Sequence, residues 1–180
     1  MQKPTYCKAV LAMDLNNVHR IYHDNYYGFP INDDDALFER LILEINQAGL
    51  SWETILKKQE KFKIAYKHFN IKKVSKFQEK DFDRLMNDAG IIRNRLKINA
   101  AIHNANVILN LQQEFGSFKK WLDFIHPNAK EEWVEIFKKT FKFTGVEIVN
   151  EFLMSTGYLP GAHEKDCSIY QKTMEAGAYF

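Results

Sequence analysis

The sequence predicts an all-α protein. Three observations carry that expectation. Apolar residues recur at helical spacing through almost the whole chain. No run of strict alternation is long enough to make a convincing strand. The periodic segments are parted by short stretches holding Gly, Pro or a capping Ser, Asp or Asn.

The elements follow in order. A segment from about Asp33 to Ala48 opens on three aspartates, which suit the positive end of a helix. Its stripe includes Leu37, Leu41 and Ala48, and Gly49 ends it. Ser51 caps the next helix, which carries Ile55, Phe62 and Tyr66 on one face. A short helix near Ile71 to Phe77 is followed by one near Glu79 to Ala89, with Phe82, Leu85 and Met86 inward. Gly90 ends it. A long helix runs from Asn94 to about Gln113, with Ile98, Ala101, Ile102, Ala105 and Leu109 along one face. Ser117 to Ile125 and Lys130 to Thr140 form two more, separated by Pro127. Val146 to Ser155 is the last apolar helix, and Gly157 stops it. The tail after Pro160 is polar and reads as irregular. With no repeat or low-complexity linker, residues 1–180 read as one domain.

Composition narrows the class. A chain of 180 residues can bury a substantial core. No apolar stretch approaches a membrane span, and the N-terminus lacks the apolar block of a signal peptide, so the chain reads as cytoplasmic. The net charge of +2 does not advertise a nucleic-acid binder, so any such contact must come from local basic clusters. Cys7 and Cys167, at opposite ends of the chain, read as free thiols or metal ligands rather than a disulfide.

Three groups of residues carry possible chemistry. Glu44 falls three residues after Leu41 and four before Ala48, on or beside the buried stripe. An acid there is either bonded to a buried structural partner or faces a cavity. In a cavity it could bind a cationic or hydrogen-bonding ligand, with Trp52, Tyr22, Tyr26 and Tyr27 as aromatic walls. His163 and Cys167 are four residues apart, so one helical turn or a tight loop could direct both at one ion, and Cys7 and His23 could complete a Cys₂His₂ tetrahedron for zinc. The alternative is buried thiols and ordinary histidines. Such a clip would close most of the chain into a loop. Last, Leu85 to Lys97 joins two helices by a very short turn. Gly90 supplies backbone freedom there, and Ile91 and Ile92 anchor the turn. The following amides, with Arg93, Arg95 and Lys97, suit phosphate oxygens; a solvated basic face is the bland alternative. The patch Lys57, Lys58, Lys61 and Lys63 is similarly open to both readings.

Four stretches together carry a resemblance. They are Tyr22-His23-Asp24-Asn25-Tyr26-Tyr27-Gly28; Glu44 with Gln47-Ala48-Gly49-Leu50-Ser51-Trp52; Asp88-Ala89-Gly90-Ile91-Ile92-Arg93-Asn94-Arg95; and Phe141-Lys142-Phe143-Thr144-Gly145. In their order and approximate spacing the chain resembles the 3-methyladenine DNA glycosylase I family, within the helix-hairpin-helix glycosylase superfamily. The resemblance covers nearly the whole chain. It implies a compact helical fold with a helix-hairpin-helix motif and a structural zinc ion joining the two ends through Cys7, His23, His163 and Cys167. It places the pocket acid on Glu44 and base-binding aromatics on Tyr22, Tyr27 and Trp52. It makes Gly90, Arg93, Arg95 and Lys97 the DNA-backbone anchor. The implied reaction is hydrolysis of the N-glycosidic bond of 3-methyladenine in alkylated double-stranded DNA by a monomer, without strand cleavage. A catalytically weak relative that only binds damaged DNA or a free base is the alternative. The chain departs from the family pattern at Ala9, Tyr26, Tyr27, Ile45, Asn46, Val146 and Glu147, which bears on pocket shape more than on fold.

Overall fold

The structure, a computed structural model, describes residues 5–179. Among these residues it is helical throughout, with no strand. The helices are α1 (Tyr6–Leu11), α2 (Val18–Asn25), α3 (Asp34–Gln47), α4 (Trp52–Ala65), α5 (Ile71–Val74), α6 (Glu79–Asn87), α7 (Arg95–Phe115), α8 (Phe118–Ile125), α9 (Lys130–Thr140), α10 (Val146–Ser155) and α11 (Tyr170–Glu175). No helix of the described residues is long and apolar enough to cross a membrane.

Helix starts are set by side-chain caps. Asp33 accepts from Ala36 N, Ser51 from Thr54 N, Asn94 from Leu96 N and Lys97 N, and Ser117 from Lys120 N. Each takes up an amide that has no partner within its own helix. The expected bounds for α3, α7 and α8 therefore begin one residue early, on the cap itself. α6 stops at Asn87, because Asp88 leaves the helix with ψ 105°. α5 is a single turn and ends before Phe77. The periodic pattern missed α1, α2 and α11. All three are short, of six to eight residues. The tail expected to be irregular thus carries α11, tied down by Cys167 and Ile169, both buried.

The described chain groups into two compact units. One holds residues 5–30 and 151–179, and the other Ile31–Asn150. In the larger unit α3 is the central helix. Arg40, Glu44 and Asn46 are buried on it alongside Leu37, Phe38, Leu41, Ile42, Leu43 and Ile45. A helix buried on all sides is a core element, and α4, α5, α7 and α8 pack against this one. The opening aspartates do more than start α3. Asp35 accepts from Ile71 N at 2.9 Å and Asn70 Nδ2 at 2.8 Å, at the head of α5. Asp34 accepts from Phe118 N at 2.7 Å, Lys119 N at 3.0 Å and Gln112 Nε2 at 2.7 Å, which caps α8. In the smaller unit the two ends of the chain meet. Gly28 N donates to Ser155 O at 3.0 Å, and Tyr179 N to Gly157 O at 2.8 Å.

Candidate functional site

In the smaller unit, Cys7 on α1, His23 on α2, His163 and Cys167 converge, all buried. One ligand atom from each lies within 4.8 Å of every other. His163 Nδ1 is 3.2 Å from His23 Nε2 and 3.7 Å from Cys7 Sγ. Cys167 Sγ is 3.6 Å from His23 Nε2 and 3.8 Å from His163 Nδ1. Around one tetrahedral ion with bonds of roughly 2.0–2.3 Å, nitrogen and sulfur ligands stand about 3.3–3.8 Å apart. The group could hold a metal ion. The other nitrogen of each imidazole is already engaged. His163 Nε2 meets the carbonyl oxygen of Tyr27 at 2.8 Å, and His23 Nδ1 meets Asp24 Oδ1 at 2.7 Å. With those nitrogens as donors, both inward nitrogens carry lone pairs, as metal-ligating histidines require. Arg20 Nε in turn holds Asp24 at 2.6 Å. Burial lowers His163 and favours its neutral, ligating form. Burial pushes the Cys7 thiol up to about 11, so binding a metal there displaces a proton. Asp24 and the Tyr27 carbonyl are supports that the sequence reading missed. The one available signal was an acid directly after His23.

The same unit holds an aromatic group. Tyr22 and Tyr27 are buried with ring centroids 5.5 Å apart, and Tyr6 meets Tyr27 edge-on at 5.7 Å. The Tyr27 hydroxyl donates to Glu151 Oε2 at 3.3 Å, a partner with no sequence signal. Tyr26, offered as an aromatic wall, is 54% exposed.

In the larger unit Glu44 is 4% exposed, in the last third of α3. Trp52 opens α4 and is half-buried. Ile45 and Asn46 are fully buried, whereas Val146 and Glu147 are exposed. Lys97 is also buried, at 4% exposure. Its ammonium donates to Asn46 O at 2.9 Å and Ala48 O at 2.7 Å. A cation on the last carbonyls of α3 complements the negative end of that helix. Burial lowers the Lys97 ammonium from its ordinary value. Lys97, expected to face phosphate, therefore holds the end of the helix that carries Glu44.

The turn between α6 and α7 is tightly built. Asp88 Oδ1 accepts from Gly90 N at 2.7 Å, and Lys58 Nζ donates to Ala89 O at 2.9 Å and Gly90 O at 3.3 Å. Gly90 is not in the left-handed region, so conformational freedom is not its reason. Space is: a Cβ there would meet Asp88 Oδ1 at 2.9 Å and Lys61 Cβ at 3.1 Å. Ile91 is buried and Ile92 half-buried. The first amides of α7 are taken by Asn94, whereas the amides of Ile92 and Arg93 meet no acceptor among the described residues. Arg93 is exposed, and the exposed Arg95 lays its guanidinium 4.7 Å from the centroid of the Phe82 ring.

The family model described as methyladenine glycosylase matches residues 12–133. The chain is 37% identical to DNA-3-methyladenine glycosylase 1 of Escherichia coli, across 83% of this chain and 89% of the relative. It is 33% identical to DNA-3-methyladenine glycosylase of Haemophilus influenzae, across 81% and 89% respectively. Among solved structures it is similar to the Staphylococcus aureus 3-methyladenine DNA glycosylase I studied for 3-methyladenine recognition. That match has a TM-score of 0.78 at 33% identity, covering 87% of this chain and 93% of the other. A variant 3-methyladenine DNA glycosylase I in complex with 3-methyladenine matches with a TM-score of 0.79 at 33% identity, covering 87% and 94%. The chain belongs to the methyladenine glycosylase family.

Proposed function

We propose that this protein hydrolyses the N-glycosidic bond of 3-methyladenine in alkylated double-stranded DNA. It releases the base and leaves the strand intact, as the first step of base excision repair. The observation that carries the reading is Glu44, a carboxylate held at 4% exposure on the central helix of a methyladenine glycosylase. Methylation at N3 makes the base cationic and therefore a good leaving group. The protein's task is to extrude the base, hold it and admit water to C1′ as the C1′–N bond breaks. A desolvated carboxylate attracts a cationic base edge far more strongly than one in water. Trp52 supplies a flat face that favours the same cation, and Tyr22 and Tyr27 are the further aromatics that the family resemblance assigns to the base. No lysine nucleophile enters the scheme, so no covalent intermediate leads to strand cleavage.

In this reading the turn at Ile92 and the exposed Arg93, with the exposed Arg95, grips phosphate without reading sequence. The four-ligand group takes zinc, because two thiolates and two imidazoles suit that ion. A closed four-ligand site leaves no position for substrate, so the ion's contribution is structural.

The decisive experiment is release of free 3-methyladenine from methylated duplex DNA, with Glu44→Ala and Trp52→Ala run beside the wild type. The expected outcome is release by the wild type and a loss of at least about tenfold in each variant. No release by wild type, or unchanged release by both variants, would overturn the assignment.

A further inference from the structure

We infer that Lys58 is a DNA-positioning residue: its ammonium fixes the α6–α7 turn and offers its remaining donor to a backbone phosphate. The inference rests on the reading of that turn as a DNA anchor. An ammonium has three donors. Two are directed at successive carbonyls, Ala89 O at 2.9 Å and Gly90 O at 3.3 Å. Lys58 is half-buried, its bond to Ala89 lies at the surface, and its third donor meets no acceptor among the described residues.

The chemistry explains why a cation is needed at this point. Two neighbouring carbonyl oxygens facing the same way concentrate negative potential, which would repel a phosphate. Lys58 neutralises that pair and reverses the local sign. Three residues after Gly90, Arg93 is exposed, and the amides of Ile92 and Arg93 meet no acceptor among the described residues. The turn cannot relax away from Lys58. Asp88 pins Gly90 N from within, and the stem of Lys61 lies within 3.1 Å of where a Gly90 Cβ would be. Both lysines stand on α4, so α4 acts as the rigid back of the turn.

Lys57 provides the internal comparison. It carries the same charge one position away, is 62% exposed, and is ion-paired to Glu53 at 2.6 Å on its own helix. No hydrogen bond links it to the turn. Long-range attraction for DNA is nearly the same for both lysines, whereas the turn contacts belong to Lys58 alone.

The test measures affinity for undamaged duplex DNA against salt concentration in wild type, Lys58→Met and Lys57→Met, with free 3-methyladenine binding as a second readout. Lys58→Met is expected to weaken duplex binding about tenfold or more and to reduce the salt slope by about one phosphate contact. Its affinity for the free base should stay at the wild-type level, which shows that the variant is folded. Lys57→Met should change duplex binding less than about threefold. Lys58→Arg, which keeps the charge, should retain the salt slope. If Lys58→Met and Lys57→Met lose affinity equally, or if Lys58→Met loses thermal stability alone, the role of Lys58 is overturned while the glycosylase reading stands. If the wild type binds no duplex at all, the role of Lys58 falls together with the reading of the turn as a DNA anchor, and base release from methylated DNA decides the glycosylase reading separately.

Discussion

Two glycines with the same unusual backbone make a sharp comparison. Gly28 has φ +78° and Gly49 has φ +81°. A Cβ at Gly49 would meet nothing within 4 Å, but one at Gly28 would meet Ala162 Cβ at 2.8 Å and His163 Cδ2 at 3.2 Å. Gly49→Ala should cost about 1 kcal/mol of left-handed strain. Gly28→Ala should cost about 3 kcal/mol in all, because the contact must be relieved as well. It should also weaken metal retention by displacing His163. Denaturation curves and metal content after dialysis check both points, and equal costs at the two sites would show that the contacts with Ala162 and His163 are irrelevant. The sequence presented Gly28 only as the end of a motif, since close approach to a residue so far along the chain leaves no local trace. The ligand types were legible, because thiolate and imidazole are chemically distinctive. Their supports were not, because a backbone carbonyl can serve from any residue. Burial first, then Lys142, holds the His103 imidazole below its ordinary value of 6.5. The unfolded chain therefore binds the proton more readily just below pH 6.5, and stability rises with pH through that window and levels off above it. His103→Gln should reduce the pH dependence of the melting temperature between about pH 5 and 7, leaving the part that His126 and His163 contribute.

At the level of elements, capping explains what was legible and what was not. Asp33, Ser51, Asn94 and Ser117 stood out as helix starts because each precedes an apolar period. The run Asp33 to Asp35 read as one signal, yet its three carboxylates serve three helices. Asp33 caps α3, Asp35 the start of α5, and Asp34 the start of α8. Cross-helix capping depends on packing, which a local pattern cannot show. Asp33→Ala should cost about 1 kcal/mol, the ordinary value of a cap. Asp34→Ala should cost about 2–3 kcal/mol, since two amides and the Gln112 side chain lose a charged acceptor together. Urea denaturation of the two variants distinguishes them. Lys97→Met tests the matching device at the other end of α3. Removing the cation from the Asn46 and Ala48 carbonyls should cost about 2 kcal/mol. It should slow base excision more than it weakens duplex binding, because the helix end it frees is the one next to Glu44. Equal losses in both assays would place Lys97 at the phosphate instead.

For the whole molecule, the question is how the short helices at the two chain ends persist. α1 and α11 have six residues each, well below the roughly 12–15 at which an isolated helix becomes even marginal. Cys7, Cys167 and Ile169 form a small core there, with Phe29 and Tyr170 packed against it. A cluster of that size buries little apolar area, and two of its members are metal-ligand candidates. Joining Cys7 to Cys167 through one ion closes a loop that spans most of the chain, which removes much of the freedom the unfolded ends would otherwise regain. Residues 31–150 have their own core around α3 and no member of the Cys/His group. Chelation should therefore act unevenly. Hydrogen exchange after metal removal should speed up sharply in residues 5–30 and 151–179, by tenfold or more in α1 and α11. Amides of α3 and α7 should keep most of their protection. Adding back Zn²⁺ should restore the slow exchange, whereas Mg²⁺, which prefers oxygen ligands, should not. A uniform acceleration across the chain would mean that the ion stabilises the central core as well. An absence of change would mean that hydrogen bonds and packing alone hold the ends together.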